Sequence, residues 1–171
     1  KNKRKNKMKK IVVFTGAGIS AESGLSTFRD SDGLWNNFKI EDVATVNAWE
    51  RNRQQCLDFY NQRHKELQTI KPNKAHKFLA KLEKDFDIHI VTQNVDDLHE
   101  RAGSTNVLHL HGELTKKRSS LDKTIYDWSY DEELTISSVA PDGSAMRPHI
   151  VLFGEAVPNM DKAYQIVEEA D

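Results

Sequence analysis

Residues 11–14, IVVF, run without a polar break into GAGISAESG at 16–24, and this junction constrains the fold more than any other stretch. A continuous β-branched and aromatic run of this length reads as a strand buried on both faces, the kind found inside parallel sheets. Gly16, Gly18 and Ala21 then fit G-x-G-x-x-A at the opening of a helix. Small residues there let the backbone approach a pyrophosphate while the helix amides face its charge. The same glycines would equally serve a tight strand-to-helix turn with no ligand. An ordinary dinucleotide fold places a second strand soon after its first helix, but SGLSTFRDSDGLW follows here, which reads as a mobile loop over a ligand.

Further along, helical and strand periods alternate. Residues 47–70 carry Trp49, Cys56, Tyr60, Leu67 and Ile70 at helical spacing until Pro72 stops the pattern. Asn73 caps a second predicted helix with Ala75, Phe78, Leu79 and Leu82 on one stripe. A strand at 88–92, a short helix ending before Gly103, a strand at 107–111, a strand at 150–153 and a final helix ending at Asp171 complete the series. This order predicts an α/β fold, a doubly wound Rossmann-like parallel sheet. Residues 116–148 are polar and turn-rich without a period, which predicts a small inserted subdomain. At 171 residues the chain suits one domain, placed at 9–171 behind a disordered basic leader at 1–8.

Composition excludes several classes. No apolar run approaches the ~20 residues of a membrane span. A lone cysteine, Cys56, forbids an internal disulfide and any thiolate-built zinc site, and points to the cytoplasm. The first ten residues carry seven Lys or Arg, so the formal charge of −1 leaves −8 on the rest. An acidic body repels a polyphosphate duplex, and no nucleic-acid partner is expected. The basic leader and IVVF mimic a signal peptide, but the apolar stretch breaks at once on Thr15, Gly16 and Gly18.

Two more segments carry polar groups to strand ends. TQNVDDLH, 92–99, offers Gln93, Asn94 and Asp96 where open α/β sheets bind ligands, although Asn and Asp are also ordinary helix caps. In HLHGE, 109–113, period two puts His109 and His111 on one strand face. They read as a metal pair with Glu113, as a general base in a cleft, or as hydrogen-bonded sheet histidines.

Taken in order, GAGISAESG with Phe28–Arg29, TQNVDDLH, LHG at 110–112 and VLFGE at 151–155 resemble the sirtuins, the NAD-dependent protein deacylases. The resemblance implies that Gly16, Ala17, Gly18, Ala21, Glu22, Phe28 and Arg29 hold NAD. It implies that Gln93, Asn94 and Asp96 position nicotinamide and its ribose, with Asn94 and Asp96 serving catalysis, and that His111, also against the cofactor, is the base. In that family the acyl-lysine oxygen attacks the ribose carbon bearing nicotinamide, and the histidine then activates a ribose hydroxyl. Nicotinamide, deacylated lysine and O-acyl-ADP-ribose leave. Val151, Phe153, Gly154 and Glu155 would belong to a strand that pairs with the substrate peptide.

Tyr60 and Arg63, three apart on one helix face, together with Thr27, resemble the branch that removes succinyl, malonyl and similar acidic acyl groups. Outside that context the pair is a core-edge tyrosine beside a solvated arginine. Sirtuins usually hold a structural zinc on four cysteines; Ser119 stands where the first is expected, so no zinc is expected and 117–147 must rest on Ile125, Tyr126, Trp128, Tyr130 and Leu134. Family members also continue past the equivalent of Asp171, so the chain reads as truncated, with weakened NAD binding and a sheet edge open to oligomerisation. A metal hydrolase, an NAD hydrolase or ADP-ribosyltransferase, and a non-catalytic NAD-binding fragment are the alternative readings.

Overall fold

A computed structural model describes residues 7–26 and 34–171. β1 (Lys10–Thr15) forms as predicted and gives way at Gly16 to a single helical turn, α1 (Gly18–Ala21). Its burial differs from the expectation: residues 10–13 are partly covered and Phe14 is 61% exposed. Among the described residues β1 pairs with one strand only, so it is a sheet edge and one of its faces stays open.

A short α2 (Ile40–Val43) leads into what the apolar spacing presents as one helix but is two, α3 (Val46–Arg51) and α4 (Arg53–Glu66). Asn52 breaks them: its backbone leaves the helical region (φ −148°, ψ 74°), and its side chain accepts the Gln55 amide at 3.2 Å. This is an ordinary N-cap, satisfying an amide that has no partner inside the helix. The chain beyond Leu67 is no longer helical. α4 supplies the main core, burying Leu57, Phe59 and Tyr60, at about 1.5–3 kcal/mol for a fully buried large side chain.

α5 (Lys74–Leu82) begins in the predicted place with a capping box, Asn73 accepting the Ala75 and His76 amides while the His76 ring accepts the Asn73 amide. Its stripe is rotated from the predicted one. Ala75 and Phe78 are exposed, while His76 is fully buried against Ser20 and edge-on to His99. The parallel sheet then closes with β2 (Asp87–Thr92) in the middle, α6 (Leu98–Arg101), and β3 (Val107–His109). Thr15 pairs with Thr92 and Thr92 with His109, so all three carboxyl ends come level.

The segment without a sequence period is an antiparallel sheet of β4 (Gly112–Ser119), β5 (Ile125–Asp127) and β6 (Met146–Ile150), in the order β5-β4-β6. It starts at Gly112, four residues before the predicted boundary, and residues 151–153 lie beyond β6 rather than in a strand. Trp128 and Leu134 are buried as expected, but Ile125 is half exposed. His64 fastens this sheet to α4: its ring stacks on Trp128 at 3.8 Å and Nδ1 donates to the Leu114 carbonyl at 2.8 Å. Asn61 clamps the Leu134 backbone through both amide atoms. At the far turn Ser119 Oγ donates to Asp142 and accepts the Leu121 and Asp122 amides. α7 (Met160–Glu168) packs Ala163 with Val91 and Leu110, and no helix among the described residues is long and apolar enough to cross a membrane.

Gly112 joins the two sheets with φ +88°, and a Cβ there would stand 2.0 Å from the His149 carbonyl oxygen. Gly112→Ala is therefore expected to cost roughly 3 kcal/mol or more, a fall of about 10 °C in Tm. Gly143→Ala, with φ +83° but open space around its Cβ, should cost only about 1 kcal/mol in the same thermal melts. Equal losses at the two glycines would show that the close approach at Gly112 does not matter.

Candidate active site

Above the carboxyl ends of β1 and β2 lies a cavity of about 570 Å³, within the range of small-molecule sites. Ala17, Ser20, Gln93, Asn94, Asp96 and His111 line it together with Tyr60, Arg63, Val151, Phe153, Gly154 and Glu155. Four sequence segments and the α4 pair thus converge. Leu25, Trp35 and Val157 add apolar wall that sequence reasoning missed, as it missed Ser20 inside GAGISAESG. Thr27, Phe28 and Arg29 fall outside the described residues.

Asp96 is buried, accepts Ser20 Oγ at 2.9 Å and the Leu98 amide at 3.0 Å, and so both lines the cavity and caps the start of α6. Burial raises its carboxyl above the usual range, against the pull of those two hydrogen bonds. Asn94 donates through Nδ2 to the Gly16 carbonyl at 3.0 Å, tying the glycine loop to the end of β2. Gly16 matters sterically here, since a Cβ would meet Gln93 Oε1 at 3.3 Å, whereas Gly18 faces open space. Ala21 and Glu22, at the end of α1, are exposed and do not line the cavity.

The two histidines part company, because β3 stops at His109 and period two no longer applies. His109 is buried beneath the site, its Nδ1 2.8 Å from the Asn94 carbonyl and its Nε2 2.7 Å from Glu100 Oε1. Burial alone would lower its pKa, but Glu100 outweighs that and holds it above the usual range. His111 instead lines the cavity, with Nδ1 donating to the Gln93 carbonyl at 3.1 Å. That bond fixes the tautomer and leaves Nε2 as the basic nitrogen. His109, His111 and Glu113 do not assemble as metal ligands, and no group of three His, Cys, Asp or Glu among the described residues does.

The lining that α4 and Glu155 supply is charged. Arg63 is 7% exposed, which removes the solvated-arginine reading. Its Nε and Nη2 each donate to a Glu66 carboxylate oxygen at 2.9 Å, and the guanidinium lies 4.9 Å over the Phe59 ring. Tyr60 is buried beside it, and burial pushes its phenol up. Glu155 receives two hydrogen bonds from Arg147 and one from the Leu152 amide. Burial would raise its carboxyl, but these bonds hold it below the usual range.

The residues present fit an NAD-like group: Asn94 and Gln93 amides and the buried Asp96 suit a carboxamide and sugar hydroxyls, and the Gly16–Gly18 backbone carries only the Ala17 methyl to keep a phosphate away. The Sir2 family model matches residues 16–171. An NAD-dependent protein deacylase of Helicobacter pylori (strain ATCC 700392 / 26695) is 54% identical over 164 residues, covering 95% of this chain and 71% of that protein. One from Aggregatibacter actinomycetemcomitans is 56% identical over 160 residues, 94% and 76% respectively. Among solved structures, a Sir2 homologue in complex with NAD superposes with a TM-score of 0.84 at 41% identity, covering 96% of this chain and 66% of that one.

Three buried histidines and the half-buried His149 are held neutral, which makes the fold sensitive to acid. His99 is lowered to about 4 by burial and then by His76; His149 is lowered to about 4 by burial and then by Arg118; burial lowers His64 and His76 as well. The unfolded chain binds protons below about 6.5 while these native rings resist them, so the stability tied to His99 and His149 is present above 6.5 and lost as pH falls through about 4, and His64 and His76 act in the same direction. His109 acts in the opposite sense, its contribution fading as pH rises through its raised value. Thermal melts from pH 7 to pH 4 should lose several degrees per unit, and His99→Gln should flatten that slope. An unchanged slope in the variant would assign the acid sensitivity to other groups.

Proposed function

The chain belongs to the Sir2 family, and we propose that it removes acyl groups from protein lysines in a reaction that consumes NAD, preferring succinyl and malonyl and accepting acetyl. One observation supports the reading: His111, Asn94 and Asp96 line the same cavity as the buried Tyr60 and Arg63. When bound, NAD supplies the ribose carbon that exchanges nicotinamide for the acyl oxygen.

The chain's own residues divide the work. Gly16, Ala17 and Gly18 receive the pyrophosphate against backbone, and Gln93, Asn94 and Asp96 orient the carboxamide and ribose hydroxyls. His111 Nε2 takes the proton from a ribose hydroxyl, its other nitrogen held by Gln93. Leu25, Trp35 and Val157 keep water from the reacting centre. Arg63 and Tyr60 meet the acyl carboxylate, because a guanidinium fork pairs with two oxygens and a phenol adds one hydrogen bond. The Val151, Leu152 and Phe153 amides are already spent on His111 O, Glu155 Oε1 and Ala44 O, and the Leu152 and Phe153 carbonyls accept the Glu155 and Val46 amides, so a substrate peptide would meet this segment through an amide donating to the Val151 carbonyl. This reading includes a zinc-free β4–β6 sheet, supported by the Ser119–Asp142 knot, and a cytoplasmic location, supported by the free Cys56.

Incubation with NAD and acetyl-, malonyl- and succinyl-lysine peptides, followed by mass spectrometry, tests it. Nicotinamide and O-acyl-ADP-ribose should form only with peptide; NAD loss without peptide would favour an NAD hydrolase or ADP-ribosyltransferase. His111→Ala should cut turnover by roughly 10²–10⁴-fold with NAD binding kept. Arg63→Met should lose succinyl-lysine turnover by about 10–150-fold more than acetyl-lysine turnover. Equal losses on both acyl groups would remove Arg63 from acyl recognition.

A further inference from the structure

The fork of Arg63 is already filled. Glu66, one helical turn along α4, occupies both Nε and Nη2 in the bidentate geometry a ligand carboxylate would need, and it lines the same cavity. The two partners are held very differently. Arg63 has 8% of its side chain exposed and rests on the Phe59 face, so it has no room to follow a ligand. Glu66 has 40% exposed and can turn into water. The remaining guanidinium nitrogen, Nη1, is buried without a partner and inaccessible to solvent, so it offers no second landing place.

We propose that Glu66 is a specificity-determining residue, an internal carboxylate that holds the Arg63 fork in the free enzyme and competes with the acidic acyl group of the substrate. This rests on the reading of Arg63 as the acyl-carboxylate partner. A succinyl or malonyl group reaches the fork only by displacing Glu66, and a Glu66 that stays repels it, since two carboxylates cannot both remain ionised at one fork without mutual cost. A neutral acetyl group leaves the Arg63–Glu66 pair closed, so the buried cation keeps its counter-charge. Glu66 thereby narrows the gap between acidic and neutral acyl groups that Arg63 alone would create.

The test compares kcat/KM on succinyl-lysine and acetyl-lysine peptides with NAD saturating, for wild type, Glu66→Gln, Glu66→Ala and Arg63→Met. Both Glu66 variants should raise the succinyl-to-acetyl ratio about threefold or more, through a lower KM for the succinyl peptide with its kcat within twofold; a part-exposed ion pair is of that order. A ratio that stays flat or falls in both variants overturns the proposal and makes Glu66 a buttress that aims Arg63. If wild type and Arg63→Met share one ratio, the fault lies in the reading of Arg63 itself. Removing Glu66 leaves the buried Arg63 guanidinium without its counter-charge, so Glu66→Gln, which keeps one acceptor oxygen, should melt above Glu66→Ala, and the ratios are read at a temperature where all four proteins are folded.

Discussion

The passage of the chain from one sheet to the other at residues 109–112 is the constraint on which the site depends. His109 ends β3, and three residues later Gly112 starts β4 in a left-handed conformation with its α-carbon hard against the His149 carbonyl. Nothing with a Cβ fits there. The tight turn takes His111 out of strand alternation and turns it into the cavity, while Val151 is drawn alongside by its amide bond to the His111 carbonyl. His111 and the 151–155 segment of the cavity lining are therefore placed by one backbone crossing.

Beneath this crossing, polar groups rather than apolar ones fix the loop after β2. Thr92 accepts the Asn94 amide, Asn94 reaches back to Gly16, Ser20 holds Asp96, and His109 bridges the Asn94 carbonyl to Glu100. His109 has an oxygen acceptor at each ring nitrogen, so both are donors only in the protonated ring, which agrees with its raised pKa. Buried networks of this kind give a single geometry when every member is satisfied. That rigidity suits residues whose task is to orient a ligand.

How much of this was legible depends on which physical signal each part rests on. β2 was readable because Ile88, Ile90 and Val91 gather buried β-branched residues in one short run, and α5 because a capping Asn is a local chemical signal. The split at Asn52 was hidden by apolar spacing that continues across it, although an Asn inside a helical period is itself a cue. The β4–β6 sheet was not readable from hydrophobicity, since Arg118, Ser119 and Arg147 are buried in it; a period search treats such residues as surface. His111 was singled out as a candidate base and does line the cavity, but the strand geometry assumed for it was wrong. Gly112, directly after it, was the available sign that the strand had ended. Ser20 escaped notice because one serine near a helix start has an ordinary capping explanation.

The charged wall shows why that unreadable sheet matters to the site. Glu155 stands between two guanidinia, bidentate to Arg147 on β6 and 3.6 Å from Arg118 on β4. Arg147 also donates to the Ile150 carbonyl and lies 5.3 Å over the Trp49 ring of α3. Two buried cations sharing one carboxylate leave a positive excess, and the Nε atoms of both arginines lack partners. Removing Glu155 would strand those charges, which is far more costly than losing an exposed ion pair. The carboxylate must then stay ionised and in place, and through its bond to the Leu152 amide it holds residues 151–155 in the bent path that forms the cavity wall. The antiparallel sheet, outside the parallel sheet whose carboxyl ends lie below the cavity, thus sets the shape of the 151–155 part of its lining.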